Sequence, residues 1–316
     1  MQSEKTKKPM SKRRKITFIV LGIMLVLIVG IVGYAYSIYH NVKETVDEEM
    51  YKPVDSIEHT PEQKEKIEKK KTLNILLMGV DEREYDKGRT DTLIILSINP
   101  NSNKMQMISI PRDTRTELVG LGFEDKINHA YAFGDVNTTI ETVEAFANIE
   151  LDYYVKMNME GLVDLVDAVG GITINNPYDW EQSGFHYKKG ELSMNGEQTM
   201  GFVRMRKMDS DFNRNDRQRI VIEGILKKGA SVGSITKIDD VLDVLGDNME
   251  TNLSFDDMKN LFKNYRDTRK NSTTYQVTGT GQYMENGNGQ NIYYLIVPEE
   301  ERDKVHGMIV HFNNEM

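Results

Sequence analysis

Two clusters of charged residues follow apolar segments of the chain, and their residue types suit the binding of phosphate groups. The first, in GVDEREYDKGRTDT, contains Asp81 and Asp91, and the second, in SIPRDTR, places Arg112 directly after Pro111. Carboxylates at a strand end can hold Mg²⁺, which is bound through a few protein oxygens together with water and phosphate. An arginine binds phosphate oxygens through two parallel hydrogen bonds and stays charged. The two clusters therefore predict a site for a phosphorylated substrate.

A third cluster, FVRMRKMDSDFNRNDRQR, concentrates six cations and three aspartates between positions 204 and 219. We predict a strand over 202–207 and a helix over 214–231. Residues two apart on a strand, or three and four apart on a helix, share a face, and a helix N-terminus favours anions. The side chains that these rules bring together are Arg204 and Arg206 on the strand, and Arg214, Arg217 and Gln218 on the helix.

Each cluster also has an explanation without chemistry. The first could be a polar surface turn, the second an Arg–Asp surface pair, and the third a solvated helix face with ion pairs. Together they favour a pyrophosphate-sized, Mg²⁺-assisted pocket lined by arginine. The sequence contains no Walker loop, nucleophile elbow, HExxH motif or dinucleotide fingerprint, and its lack of cysteine excludes thiol catalysis and Cys-ligated metals.

A layered α/β domain is predicted to position the clusters. Continuous apolar runs at 73–80, 92–100 and 105–111 indicate strands covered on both faces, hence a central sheet between helices. Helical periodicity and strand-like segments then alternate, which predicts a strand–helix–strand unit. The further predicted elements are strands at 152–159 and 171–176, helices at 136–149, 160–169, 235–246 and 254–268, a hairpin around 279–291, and a last helix from Pro298.

The N-terminal region predicts a membrane anchor. Residues 1–15 carry a net charge of +6, and residues 16–36 are 21 mostly apolar positions without Asp, Glu, Lys or Arg. That length spans a hydrocarbon core of about 30 Å, and the basic flank stays in the cytoplasm, so the rest should lie outside. A cleavable signal peptide is the alternative, because Ala35 and Ser37 have cleavage-site spacing. The predicted regions are a cytoplasmic tail (1–15), a transmembrane signal-anchor helix (16–37), a polar stalk (38–72) and an extracellular domain (73–316).

The charge distribution argues against a nucleic-acid partner. The whole chain has a formal net charge of −9, so the residues after position 15 sum to −15. Affinity for phosphate backbones rests on Lys and Arg, which neutralise them. We therefore expect no nucleic acid among the partners.

Five motifs in sequence order resemble the LytR–CpsA–Psr family of Gram-positive cell-envelope enzymes, closest to its members that attach wall teichoic acids. They are LLMGVDERE…GRTDTLIILSINP, MISIPRDTR, KINHAYAFG, DYYVKMNMEGLVDLVDAVGGI and FVRMRKMDSDFNRNDRQR. The resemblance implies an α/β/α domain whose central mixed β-sheet is flanked by helices, in a single-pass type II protein of the cell membrane. It implies a Mg²⁺-dependent phosphotransferase that moves an anionic glycopolymer from undecaprenyl pyrophosphate to the C6 hydroxyl of N-acetylmuramic acid in peptidoglycan.

The resemblance also implies roles for individual residues. Asp81 and Asp91 match the carboxylates associated with the metal and the reacting pyrophosphate, and Arg112, Arg206 and Arg214 match the arginines that grip the two phosphates. Asp91 is in addition a candidate to accept the proton of the attacking hydroxyl. The residues implied in lining or bracing the same pocket are Arg83, Arg89, Lys126, Arg204, Asp211, Arg217 and Gln218.

Two other functions remain open at this stage. Hydrolysis of polyprenyl pyrophosphate needs the same arginines and Mg²⁺, with water as the acceptor. A non-catalytic membrane-anchored regulator or attenuator is disfavoured, because a cytoplasmic tail of 15 residues is too short to fold into a DNA reader. The lipid tail of the donor needs apolar cover, and we predict that 162–169 or 220–226 lines a tunnel for it.

Overall fold

The computed structural model describes residues 33–34, 36–57, 61–82, 87–182, 184–205, 211–229, 244–246, 248–285 and 289–315. The predicted cytoplasmic tail, most of the predicted anchor, Arg83, Arg206 and the side chain of Asp211 lie outside this part. Within the described ranges, no helix has the length and apolar character that crossing a membrane requires.

The described elements alternate between strands and helices along much of the chain. The strands are β1 (Leu73–Val80), β2 (Thr90–Asn99), β3 (Lys104–Ser109), β4 (Arg115–Leu118), β5 (Phe123–Lys126), β6 (Tyr153–Asn158), β7 (Ile172–Asn176), β8 (Trp180–Gln182), β9 (Phe185–Tyr187), β10 (Gly190–Met194), β11 (Met249–Thr251), β12 (Ser272–Gln276), β13 (Thr280–Glu285) and β14 (Asn291–Ile296). The helices are α1 (Pro61–Glu68), α2 (His129–Ala147), α3 (Met159–Ala168), α4 (Gly196–Arg204), α5 (Asp211–Gly229), α6 (Phe255–Tyr265) and α7 (Glu299–Asn313), with a π-helical segment at Thr45–Met50 and a 3₁₀ turn at Thr268–Lys270.

A mixed sheet forms the centre of the fold, as predicted. Among the described residues its six strands lie in the order β11–β6–β1–β2–β3–β12. β2 runs antiparallel to both β1 and β3, whereas β6 is parallel to β1 and β12 is parallel to β3. The carboxyl ends of β1, β3 and β6 and the start of β2 therefore meet at one edge, and the first two charged clusters lie at the ends of β1 and β3.

Helices cover both faces of this sheet. On β1, Leu76 and Met78 pack in the same cluster as α2 and α7, while Leu73 and Ile75 face α5 and α6. Successive side chains of a strand point to opposite faces, so burial of both faces requires apolar residues at every position. This explains the continuous apolar runs in the sequence. Each fully buried Leu or Ile contributes about 1.5–3 kcal/mol relative to an exposed one.

One sequence expectation about elements is wrong. Arg204 ends helix α4 and does not lie on a strand, because Asn195 and Gln198 form a capping box that starts a helix at Gly196. The signal was the N-x-x-Q spacing of MNGEQ. The predicted strand–helix–strand unit is confirmed as β6–α3–β7, and β7 pairs with β10 in a separate two-stranded sheet.

The apolar residues of α3 and α5 that were predicted to line a lipid tunnel contribute to the core. Leu165, Val166 and Val221 belong to a hydrophobic cluster around Trp180, whose ring stacks on Tyr187 with centroids 4.6 Å apart. Such packing is ordinary for the apolar face of a helix. The tunnel stays a prediction.

Part of the segment between 38 and 72 packs on the domain. Val46, Met50 and Ile67 are almost fully buried, and the amide of Lys52 donates to the carbonyl of Thr251 at 2.8 Å, beside the edge strand β11. The apolar residues that anchor this segment to the domain are far apart in a charged sequence. They form no continuous apolar face, so the sequence did not predict this packing.

Candidate functional site

Asp91 is presented by an irregularity in the pairing of β1 with β2. Gly79 pairs with Thr92 and Val80 with Thr90, so Asp91 is the extra residue of a β-bulge. A bulge redirects a side chain and is frequent beside functional sites. A Cβ on Gly79 would lie 3.0 Å from the Thr92 side chain, so glycine allows the two strands to come close here. The bulge thereby places a carboxylate at the edge of the sheet.

Two arginines donate hydrogen bonds to the Asp91 carboxylate, each to a different oxygen. Nη1 of Arg112 donates to Oδ1 at 2.8 Å, and Nη2 of Arg214 donates to Oδ2 at 2.7 Å. The side chain of Asp91 is only 13% exposed. Burial alone would raise the pKa of Asp91, but the charge of Arg214 and the hydrogen bonds from both arginines hold this pKa below its ordinary value. Asp91 is therefore ionised at neutral pH and joins β2, the segment after β3, and α5.

Some hydrogen-bond donors of Arg214 have no acceptor within the described part of the chain. The residue is 5% exposed, and its Nε and Nη1 atoms have no hydrogen-bond partner among the described residues. The same holds for the side-chain amide nitrogens of Asn215 and Gln276, which line the same recess with Asp91 and Arg112. Buried donors without acceptors are costly, and a ligand rich in oxygen would remove that cost. This half-satisfied guanidinium makes the recess a candidate anion site.

A second recess shares Asp91 and Arg214 with the first. It is lined by Asp81, Asp91, Arg204, Arg214 and Gln218, together with apolar side chains. Nη2 of Arg204 lies 3.5 Å from Oδ1 of Asp81, and Nε2 of Gln218 makes a long contact of 3.5 Å with the Asp91 carbonyl. The structure thus brings the two predicted carboxylates and three residues of the third cluster to one place.

The carboxylates of Asp81 and Asp91 fit Mg²⁺ only together with a substrate. Among the described residues, no group of three or more His, Asp or Glu side chains is placed to hold a metal ion. Mg²⁺ is commonly bound by one or two carboxylates, with substrate phosphate and water in the remaining positions. Two carboxylates that border one recess match that donor set, beside arginine donors that have no acceptor among the described residues.

Lys126 stabilises the site through an ion pair with Asp113. Its Nζ lies 2.5 Å from Oδ1 of Asp113, and the other oxygen of Asp113 is 3.6 Å from Nε of Arg112. Asp113 is buried, so the Lys126–Asp113–Arg112 chain restricts where the guanidinium can point. The Arg–Asp pair of the second cluster is therefore part of the site and not a surface pair.

Arg217 does not share the recess with its neighbours on α5. It is fully buried, and its Nη2 donates to the carbonyl of Met205 at 2.6 Å, while its guanidinium lies 6.0 Å from the Tyr178 ring centroid. Its position in the sequence predicted a face shared with Arg214 and Gln218. Its hydrogen bond to Met205 instead connects α5 to the end of α4.

Arg89 contributes its backbone to the loop between β1 and β2. Its carbonyl accepts a hydrogen bond of 3.2 Å from the Asp81 amide, while its side chain is exposed. The preceding Gly88 has a φ of +74°, and a Cβ there would lie 2.4 Å from the Asp81 carbonyl oxygen. Only glycine fits this turn, which fixes the backbone of Asp81.

The family model of the LytR_cpsA_psr family matches residues 35–308. The chain belongs to this family. It is similar to the polyisoprenyl-teichoic acid–peptidoglycan teichoic acid transferase TagU of Bacillus anthracis, with 46% identity over 289 residues, 91% of this chain and 94% of that protein. The fold is similar to the crystal structure of B. subtilis TagU, with a TM-score of 0.63 and 39% identity over 78% of this chain and 99% of that one. It is also similar to TagT bound to LIIa-WTA, with a TM-score of 0.64 and 27% identity over 84% and 94% of the two chains.

This member of the LytR_cpsA_psr family also contains a buried lysine that the site analysis of the sequence missed. Nζ of Lys156 lies 3.3 Å from Glu82 and 3.0 Å from both Glu250 and the Tyr131 hydroxyl, and its side chain is 9% exposed. Burial would lower the pKa of Lys156, but its hydrogen bonds to Tyr131 and Glu250 raise it above the ordinary value. Glu82 directly follows Asp81, so this cation helps to hold the loop after β1. The available signal was a lysine within the apolar segment DYYVKMNM.

Proposed function

We propose that this protein transfers an anionic glycopolymer, wall teichoic acid, from undecaprenyl pyrophosphate to the C6 hydroxyl of N-acetylmuramic acid in peptidoglycan. The observation that carries the proposal is the Asp91 carboxylate held between Arg112 and Arg214, with two further donor atoms of Arg214 that have no acceptor among the described residues. A buried, partly unsatisfied arginine beside a second carboxylate suits a pyrophosphate. Family relatives that are named teichoic acid transferases support the same substrate class.

The reaction is a displacement at phosphorus. The hydroxyl oxygen of the acceptor sugar attacks the phosphorus that carries the glycopolymer. The bond from that phosphorus to the bridging oxygen breaks, and undecaprenyl phosphate leaves with this oxygen and its electron pair. Arg112 and Arg214 stabilise the negative charge that develops on the leaving phosphate, so that positioning and electrostatics supply the catalysis and no protein nucleophile is needed.

The proton of the acceptor hydroxyl goes to a carboxylate, for which we propose Asp91. In the free protein, Arg112 and Arg214 lower the pKa of Asp91 and make it a weak base. A bound pyrophosphate shares the charge of both arginines, and a nearby negative charge raises the pKa of a carboxyl group. The phosphate charge thus offsets part of the effect of the two arginines and favours proton transfer to Asp91 when the hydroxyl is present.

The decisive experiment uses the full chain in detergent micelles with a synthetic polyprenyl-pyrophosphate-linked glycan, Mg²⁺ and peptidoglycan oligomers. We expect glycan covalently linked to the oligomers, with release of one polyprenyl phosphate per linkage. Release of the donor glycan into water without any linked product would assign hydrolysis instead. Absence of both products would refute the proposed chemistry.

Mg²⁺ held between Asp81, Asp91 and the pyrophosphate would neutralise phosphate charge and act as a Lewis acid on the phosphoryl oxygens. We expect Asp81→Asn to raise the Mg²⁺ concentration needed for half-maximal transfer by about 10–100-fold, the scale for disturbing a metal site. Asp267→Asn, which alters an exposed carboxylate paired with Lys270, is the matched control. A magnesium titration of both variants measures the effect, and equal requirements in the two would exclude Asp81 as a metal ligand.

For the location of the protein, we propose that residues 16–36 anchor the chain in the cell membrane and that the domain lies on its outer face. The basic flank and the uncharged stretch that follows support this orientation. Protease added to intact protoplasts is expected to digest the 38–316 portion. If that portion stays intact under conditions that digest a known outer-surface protein, the orientation is inverted.

A further inference from the structure

The β13–β14 hairpin presents a pair of tyrosines beside the anion site. Tyr283 and Tyr293 are directly opposite each other in the antiparallel register, and cross-strand partners lie on one face of a hairpin. Their ring centroids are 5.5 Å apart with an interplanar angle of 66°, and Tyr283 is 70% exposed. The two rings together present an apolar surface with polar hydroxyl groups.

This tyrosine pair is connected to the recess that contains Arg112 and Arg214. Tyr293 and Leu295 line that recess together with Asp91, so the aromatic face continues directly from the reacting groups to solvent. The amide of Leu295 donates to the Asp113 carbonyl at 2.8 Å, next to Arg112 in sequence. The hairpin is thus held in a fixed place relative to the arginines.

Gly281 makes room for the ring of Tyr293. A Cβ at Gly281 would lie 2.7 Å from two atoms of that ring, so a larger residue would displace it. An aromatic ring lying over a glycine on the neighbouring strand presents an ordered, flat apolar surface. The Tyr283 and Tyr293 rings therefore form an apolar surface, called the platform below.

Neutral hydrogen-bond donors accompany the platform. Asn215 is 8% exposed, and its Nδ2 atom has no hydrogen-bond partner among the described residues; the same applies to Nε2 of Gln276. Both residues line the recess with Tyr293. Amide N–H groups suit hydroxyl and N-acetyl oxygens, whereas the phosphates are matched by the arginines. The combination of aromatic faces with amide donors fits a sugar ring, which has apolar C–H faces and a polar edge.

We infer that Tyr283, Tyr293, Asn215 and Gln276 form the subsite for the acceptor saccharide, an N-acetylated hexose of the glycan chain. This inference rests on the proposed function, because it assigns the second substrate of that reaction. The other recess, lined by Asp81, Arg204 and Gln218, shares Asp91 and Arg214 with this one, but none of its described lining residues is aromatic. The acceptor thus approaches along the hairpin, and its hydroxyl reaches the phosphorus from the side of Tyr293.

Acceptor-dependent kinetics of the full chain test the subsite, with the polyprenyl-pyrophosphate glycan at saturation and peptidoglycan oligomers as the varied substrate. We expect Tyr283→Ala to raise the acceptor KM by about 3–10-fold, the scale of one aromatic contact, with the donor KM unchanged. Tyr283→Phe keeps the ring and should recover most of this loss. Phe262→Ala removes an exposed ring on α6 and serves as the control. An unchanged acceptor KM in Tyr283→Ala, with wild-type transfer intact, would overturn the subsite.

Direct binding separates this inference from the proposed function. Titration of the full chain with an N-acetylglucosamine–N-acetylmuramic acid tetrasaccharide, without any donor, is expected to show saturable binding that weakens in Tyr283→Ala and in Asn215→Ala. Binding that both variants retain at full strength contradicts the subsite. If the wild-type chain binds the tetrasaccharide but links no glycan to it, the transferase proposal fails while the saccharide site stands.

Discussion

Replacing Arg214 by alanine is expected to lower the rate of glycopolymer transfer by about 10²–10³-fold, the scale for losing one preorganised charge-stabilising donor. Arg214 is buried, it donates to Asp91, and its remaining donors have no acceptor among the described residues. These donors are available to the leaving phosphate, on which negative charge grows as the bond to phosphorus breaks. The loss should fall on kcat more than on the donor KM, because the interaction strengthens in the transition state.

A conservative variant tests whether geometry matters as well as charge. Arg214→Lys should recover only part of the rate, because an ammonium group cannot form two parallel hydrogen bonds to phosphate while it also holds Asp91. Lys227→Ala changes an exposed cation in the last turn of the same helix and is the control for the charge of α5. Single-turnover transfer measured for the three variants decides the point. Arg214→Ala acting at the wild-type rate would leave the arginine with a structural role only.

The sheet could be predicted from the sequence because strands that are buried on both faces consist of nearly continuous apolar residues. Most positions of LNILLMGV are apolar because helices cover both sides, and the structure places Leu73 and Leu76 in different clusters. The buried Asn74 is the polar exception, and it accepts a hydrogen bond from the Ser97 hydroxyl. The strand ends then indicated where charged residues collect. Asp81, Asp91, Arg112 and Arg214 could therefore be proposed together before any distance was known.

What the sequence could not predict depends on contacts between distant segments. Asp91 and Arg214 are 123 positions apart, and no periodicity relates them. The bulge that redirects Asp91 is a single-residue change in register, which leaves no compositional signal. Tyr293 lies at the recess because the β13–β14 hairpin is held next to Arg112 by the hydrogen bond from Leu295 to Asp113, a contact between distant segments. Helical spacing predicted that Arg217 shares the recess with Arg214. Its guanidinium instead donates to the carbonyl of Met205 at the end of α4, a contact that the spacing along α5 could not predict.

Replacing Asp91 by alanine is expected to lower the free energy of unfolding by about 3 kcal/mol at neutral pH, and to abolish most transfer. Removal of one partner from a buried ion pair costs about 3–5 kcal/mol, because the remaining charge stays buried without compensation. Arg112 is partly exposed and keeps its contact with Asp113, so the lower end of that range applies. Arg214→Ala should destabilise less, since Asp91 then still accepts from Arg112. Urea unfolding of both variants and of the double variant gives the coupling between the two residues.

The same ion pair predicts how stability depends on pH. The pKa of Asp91 is lower in the folded protein than the value of about 3.9 for an unfolded chain, so its contribution is fully present above pH 4. It is lost as the pH falls through the lower folded-state pKa, because protonation then releases both arginines from their partner. Asp91→Asn lacks this titration, and its free energy of unfolding should therefore decline less steeply than that of the wild type when acidified below pH 4. Parallel acid profiles for the two proteins would show that the arginines do not lower the pKa of Asp91, and would remove the electrostatic basis of the site.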